Sequence, residues 1–380
     1  MKVLITGGTG TISSGLVKES VKRGYDTFAI TRGNNNSRNI EGANYIHGDI
    51  WNSNEICFLL NEMKFDVVVE CLAYNVEQLK ISLENFSSKC QQYVFISTAA
   101  IYNRQGEKRI VEADEKSFTE WNYTREKIEC EKYLKDYSEK TGLKYTIVRP
   151  TVTYGDFRIP FPIATRSPGW TFFQRMLDGK PLLASNNVKF SVIHIDDFSK
   201  AVVGLFGNEK AYNEDFHITD KKNDIYWDDV IKLAGKVLGV NPKIIHVNQD
   251  VIKKAYPSIY DEIAYHKNTT QLFDDTKLKA TVEFEASISI EDGIQRIIAS
   301  MKNEFESRGL SLDEKWNDLC NATILEAFRE KKLNQYEELQ VLPFVDEYKI
   351  SAARIKRERF TSIPFKIVRK IKEVIKRIIK

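Results

Sequence analysis

Tyr123 and Lys127 stand four residues apart in the segment YTREK, a spacing that sets both side chains on one face of a helix. A phenol with a pKa near 10 is a poor base at neutral pH. An ammonium beside it favours the phenolate, and a second nearby cation favours it further. Lowering the phenol by roughly 3 units takes about 4 kcal/mol, within reach of two cations in a partly desolvated cleft. Such a pair suits proton exchange with an oxygen on a reacting carbon. A hydroxyl, Thr98, stands in STAAIY (97–102) where an apolar run ends. Taken alone, it reads as a strand-end hydroxyl that satisfies the backbone.

These residues need a scaffold, and the first 150 residues describe one. Short apolar runs fall at 2–6, 26–31, 44–47, 66–71, 92–97 and 144–148, with helical patterns at 12–23, 53–63, 76–89 and 120–141. The runs are nearly continuous in apolar character, as strands buried on both faces are. Strands alternating with helices predict an α/β fold, a Rossmann-like doubly wound parallel sheet. The run LITGGTGTIS (4–13) joins the first strand to the first helix through a burst of glycine. Glycines there let the backbone approach a pyrophosphate, and the helix N-terminus offers free N–H groups. Gly7, Gly10, Thr11 and Ile12 are therefore the candidate phosphate cradle, with Ser13 where a third close-packing glycine is expected. Strand 2 ends in Thr31-Arg32, with Arg38 nearby and no carboxylate, which favours NADP over NAD. Asp49, in HGDI, is placed either to accept from an adenine amino group or to cap a helix.

The order TGGTGTIS, GDI, STAAIY, YTREK, VRPTVTYG (148–155), HIDD (194–197) resembles the extended short-chain dehydrogenase/reductase family, the NAD-dependent epimerases and dehydratases acting on sugar nucleotides. The likeness covers residues 1 to about 300. It implies a catalytic triad in which Thr98 hydrogen-bonds the reacting oxygen, Tyr123 exchanges its proton, and Lys127 holds the nicotinamide ribose. It implies that Ala73 and Tyr74 line the cofactor. An oxidised nicotinamide is then the second cation beside Tyr123. The implied activity is an NAD(P)-dependent sugar epimerase or keto-reductase, working by hydride transfer on a nucleotide-activated sugar.

The departures from that family narrow the chemistry. Ala99 and Ala100 follow Thr98 where the 4,6-dehydratases carry an Asp-Glu pair, so dehydration is not expected. Val152 stands where the epimerases place an asparagine, and Phe190 where they place an arginine. Substrate-binding residues are expected to be Thr98, Arg158, Arg166 and Lys189, with Arg175 a further cation for a pyrophosphate. His194 and Asp197 read as structural. The opening GGTGTIS with TRG after strand 2 is also similar to atypical members, including chloroplast stem-loop RNA-binding relatives. The alternative is thus a dinucleotide- or RNA-binding protein without redox turnover.

Composition bounds the rest. Apolar residues make up 42% and charged residues 29% of the 380, as in ordinary soluble domains. Five scattered cysteines without a CxxC pair read as reduced thiols, and no metal site is expected. No apolar run of about 18 residues is present to span a membrane. The domains read as a dinucleotide-binding unit over 1–155, completed by about 189–220, and a substrate lobe from 156–188 and 221–300. A helical extension over 301–353 and a basic tail over 354–380 follow. The tail holds eleven Lys/Arg and two Glu, a charge of 11 − 2 = +9, so the net +3 leaves the body at 3 − 9 = −6. An acidic body is poorly suited to a phosphate backbone, so nucleic acid is not the expected partner. From Pro364 the tail sets Ile367, Val368, Ile371, Val374, Ile375, Ile378 and Ile379 on one helical face opposite Lys and Arg. Such a stripe suits an anionic membrane surface, or else the protein's own body or a second copy in a homodimer. The expected location is cytoplasmic, peripheral to the inner face of the membrane.

Overall fold

The structure, a computed structural model, describes residues 1–361 apart from 35, 103–105, 117–119, 157 and 166–167, with residues 360–361 described as backbone alone. Six early strands match the apolar runs to within two residues: β1 (Lys2–Thr6), β2 (Asp26–Thr31), β3 (Asn44–His47), β4 (Phe65–Glu70), β5 (Cys90–Ile96) and β6 (Lys144–Pro150). Four short strands follow, β7 (Val152–Tyr154), β8 (Leu182–Ala184), β9 (Lys189–Phe190) and β10 (Val192–His194). The last three are β11 (Glu214–Ile218), β12 (Ile225–Tyr226) and β13 (Ile244–His246). The helices of the first part are α1 (Thr11–Lys22), α2 (Ser53–Leu60), α3 (Val76–Phe86), α4 (Asn122–Thr141), α5 (Trp170–Leu177) and α6 (Ile195–Gly204). Then come α7 (Trp227–Leu238), α8 (Gln249–Ala255), α9 (Tyr260–Glu262), α10 (Thr276–Thr281), α11 (Ile290–Ser307), α12 (Glu314–Arg329), α13 (Gln335–Val341) and α14 (Val345–Thr361).

Seven parallel strands form the main sheet, in the order β11-β6-β5-β4-β1-β2-β3. Alternation along β1 sends Val3 and Ile5 to one face, where they pack with Leu16 and Val17 of α1 and Phe198 and Val202 of α6. Leu4 points to the other face, into a core with Leu83 and Phe86 of α3 and Leu134 of α4. Helices thus cover both faces, which is why the strands read as unbroken apolar runs. The chain winds outward in one direction through β2 and β3 and in the other through β4, β5 and β6. The strand order therefore reverses between β1 and β4, and the crevice at their carboxyl ends is where such sheets take ligands.

The strand at the far edge, β11, is absent from the sequence expectations. Its sequence EDFHI has no continuous apolar run, because Asp215 and His217 face buried polar neighbours. Three two-stranded ladders, β7 with β10, β9 with β12 and β8 with β13, brace the second lobe. Its core includes Phe172, Phe173, Trp227, Ile297 and Met301, and the helices after residue 301 add Trp316, Cys320, Ile324 and Tyr348 to that same core. No helix among the described residues is long and apolar enough to cross a membrane. Residues 354–361 continue α14, and the tail from 362 onward lies outside the described residues.

Candidate active site at the carboxyl ends of β1 and β4

The loop after β1 is built for close approach. Gly7 and Gly8 have φ of +92° and +119°, a region that side chains strongly disfavour. A Cβ on Gly8 would also fall 2.9 Å from the Ala29 Cβ. The Ser13 hydroxyl occupies the space beneath the loop, accepting from the Gly10 N–H at 3.3 Å and donating to the Gly10 carbonyl at 3.4 Å. The close-packing glycine of α1 is instead Gly15, where a Cβ would lie 2.6 Å from both Ile195 Cγ1 and Ser199 Oγ of α6. At Gly10, by contrast, an added Cβ would meet only Ser13 Oγ, at 3.6 Å. That open face, followed by Thr11 and Ile12 at the start of α1, fits a dinucleotide pyrophosphate.

Lys127 projects from α4 into the sheet's edge and is 2% exposed. Its ammonium donates to the Ala73 carbonyl at 2.8 Å and the Ile96 carbonyl at 2.9 Å. An ammonium has three donors, so one remains for a ligand hydroxyl. Burial lowers its pKa to about 8, against the pull of nearby Glu70. One turn earlier, the Tyr123 phenol is near enough to the Thr98 hydroxyl for it to favour the phenolate. Its ring lies 6.1 Å from that of Tyr74, which is itself exposed. Lys127, Tyr123, Ala73 and Tyr74, four of the residues expected at the site, therefore lie together in the structure.

The phenol itself departs from expectation. Burial pushes Tyr123 up to about 12, although the nearby Thr98 hydroxyl and the Arg158 charge pull the other way. Lys127 spends two donors on carbonyls instead of on the phenol. Desolvation outweighs both pulls, so the protein's own charges do not lower this phenol. The Thr98 hydroxyl accepts from the Ala100 N–H at 3.1 Å, as a strand-end hydroxyl that satisfies the backbone does.

The remaining expected residues divide. Arg158 is exposed after β7, within electrostatic range of Tyr123. Lys189 lies on β9 opposite Tyr226, and Arg166 lies outside the described residues. Arg175 is a correction. It is 2% exposed, donating to the Pro181 carbonyl at 2.8 Å and to Asn317 at 3.2 Å, so it ties α5 to α12 and does not face a substrate. Arg32 is exposed at the end of β2, whereas Arg38 pairs with Glu304 at 3.0 Å. Asp49 accepts from the Trp51 N–H at 3.1 Å, and the cap of α2 is Asn52. Asp197 is buried and accepts from the backbone of Ser287 and Ile288 at 2.9 and 2.8 Å, fastening α6 to the second lobe. His194 caps α6.

Sequence reasoning missed Glu70, which ends β4 beneath the site, and Trp121, whose ring lies 4.8 Å from Tyr123 and stacks on His266. A carboxylate inside an otherwise apolar strand was the available signal for Glu70. Nothing in the local sequence marks Trp121, because its partner comes from the second lobe.

Residues 3–218 match the model of the NAD dependent epimerase/dehydratase family. The chloroplast stem-loop binding protein of 41 kDa b from Arabidopsis thaliana is 27% identical over 276 residues, 67% of this chain and 69% of that protein. A UDP-N-acetyl-alpha-D-glucosaminuronate decarboxylase from Bacillus cytotoxicus is 26% identical over 325 residues, 78% of this chain and 96% of that enzyme. Among solved structures, UDP-glucose 4-epimerase from Thermotoga maritima with UDP-glucose aligns with a TM-score of 0.66 at 20% identity, covering 80% of this chain and 100% of that one. With this match running from the glycine loop through Tyr123 and Lys127 to β11, the chain belongs to the NAD-dependent epimerase/dehydratase family.

Proposed function

We propose that the protein is an NAD(P)-dependent oxidoreductase of the short-chain type that epimerises or reduces a sugar carried on a nucleotide. The observation that carries this reading is the buried ammonium of Lys127, held by the Ala73 and Ile96 carbonyls one helical turn from Tyr123. Gly7, Gly10, Thr11 and Ile12 would cradle the dinucleotide's diphosphate, Lys127 would hold its nicotinamide ribose, and Ala73 and Tyr74 would line it. The bound dinucleotide supplies hydride acceptance and return. Tyr123 moves the proton at the substrate oxygen, and Thr98 holds that oxygen in place. Arg158 is the cation best placed for the substrate's charged portion, with Arg166 and Lys189 as further contacts. Arg32 supports NADP, since a guanidinium there suits a 2′-phosphate.

Purified protein, denatured and analysed by mass spectrometry, is expected to release NADP or NAD together with a nucleotide sugar. Protein that carries no dinucleotide, and binds neither when they are added, would overturn the reading. An epimerase turns over without added cofactor, whereas a reductase consumes NADPH in proportion to product. The rival, a binding protein without turnover, has support in the similarity to the Arabidopsis stem-loop binding protein, and the same assays separate the two.

The C-terminal segment carries a second part of the proposal, binding to an anionic membrane surface. Its charge of 11 − 2 = +9 over 354–380 is worth about 1 kcal/mol per basic residue near such a leaflet. Tyr336 and Leu339 of α13 and Leu342 just beyond it are exposed nearby in sequence, at 71%, 61% and 54%. The full chain is expected to co-sediment with vesicles containing phosphatidylserine at low salt, and a chain lacking 362–380 to stay in solution. Equal sedimentation of the two removes the idea.

A further inference from the structure

Glu70 is fully buried at the carboxyl end of β4, at the point where the strand order reverses. Four groups converge on its carboxylate. The Thr6 hydroxyl donates at 3.0 Å, the Leu72 and Ala73 N–H groups at 2.5 and 2.9 Å, and the Ser82 hydroxyl at 2.5 Å. Each is a donor, which suits a carboxylate that only accepts. No cation touches it among the described residues. A buried carboxylate without a direct counter-ion is costly, so its neighbourhood has to compensate.

Those contacts reach both halves of the dinucleotide site. Thr6 is the last residue before the glycine loop, and it also accepts from the Cys71 N–H at 2.8 Å. Ala73 gives its N–H to Glu70 and its carbonyl to Lys127, so one residue bridges carboxylate and ammonium. We propose that Glu70 is the positioning residue of the dinucleotide site: its carboxylate clamps the glycine loop to the turn that holds Lys127, and its charge faces that ammonium. The proposal rests on the dinucleotide reading above.

The other titratable groups around Lys127 do not duplicate this role. Cys71 and Cys130 are pushed far up by burial and stay neutral thiols. Glu131, on α4, is occupied by Arg149 at 2.8 Å, and Tyr123 is raised by burial. Tyr74 offers Lys127 only its ring face, 5.1 Å away. Glu70 is the carboxylate without a cation of its own that opposes the desolvation of the amine, with a smaller pull from Glu131.

The full chain labelled with 13Cε-lysine tests this without turnover, the Lys127 resonance being assigned by its absence in Lys127→Met. Lys127 is expected to titrate near 8 in the wild type and at least one unit lower in Glu70→Gln. Dinucleotide affinity at pH 8 is expected to fall at least tenfold in the same variant. An unchanged titration in folded Glu70→Gln overturns the proposal. If the wild type binds no dinucleotide, the functional reading fails, yet the titration still decides the electrostatic role of Glu70. Should Glu70→Gln not fold, Glu70→Asp draws the charge back by one methylene and should give a smaller fall; no fall overturns the proposal equally.

Discussion

Tyr123→Phe is expected to keep its dinucleotide and to lose turnover by about 10²- to 10⁴-fold, the range that a positioned acid or base contributes. The ring's contacts with Trp121 and Tyr74 survive the change, so packing is preserved while the proton carrier goes. Dinucleotide retention, read by fluorescence or mass spectrometry, separates this outcome from unfolding. The pH profile supplies an independent check. With burial holding the phenol up to about 12 and the Lys127 ammonium down to about 8, oxidation should quicken as pH rises, until Lys127 loses its proton. An alkaline decline in dinucleotide binding near pH 8 should therefore persist in Tyr123→Phe, because that limb belongs to the lysine. Full activity in the variant would end the proposed mechanism.

How this site could be read from the sequence depends on the range of each interaction. The Tyr123–Lys127 pair was legible because four residues along a helix is a local distance. Most of the six strands before residue 150 were legible for a related reason, since burial on both faces leaves an apolar run that needs no knowledge of neighbours; the edge strand β3, with no buried residue, is the exception. β11 lacks that signature because Asp215 serves Arg149 from across the strand. Ser13 was recognised as a departure, but the compensating Gly15 could be identified only once α6 was known to lie against it. Arg175 misled for the same reason. A lone arginine after a proline-rich stretch looks like a phosphate ligand until Asn317 and Tyr348, more than 140 residues on, are seen to take its donors. The direction of the Tyr123 shift was also beyond a sequence argument that counted charges, because desolvation depends on everything packed around the phenol.

The second large effect expected is on stability, at Arg149. Its side chain is fully buried and makes a two-pronged pair with Glu131 at 2.9 and 2.8 Å, while also reaching Asp215 and the Tyr102 hydroxyl. Ser97 donates to the same Glu131 at 2.6 Å, so the network anchors the residue next to Thr98. Burial alone would raise Asp215, but Arg149, aided by Lys135, Lys277 and Lys116, overcomes it and holds the carboxyl well below the usual carboxylate range. Arg149→Met would leave the buried Glu131 with only Lys116, 3.8 Å away, while Asp215 keeps its lysines. Breaking a buried pair costs about 3–5 kcal/mol when no partner remains, so the loss here is expected up to that size. The sign of the pH dependence follows. A carboxyl whose folded pKa is depressed contributes stability above its unfolded pKa, near 4, and loses it as pH falls. In Arg149→Met that contribution shrinks to what Lys116, Lys135 and Lys277 supply, so the gap from wild type in urea unfolding should be widest near pH 7 and shrink below about pH 4. Adding Glu131→Gln to Arg149→Met should recover part of the loss at neutral pH, because it removes that poorly compensated charge while its amide can still meet the Ser97 hydroxyl. A gap that stays constant from pH 7 to pH 3 would mean that Arg149 stabilises by its volume and not by its charge.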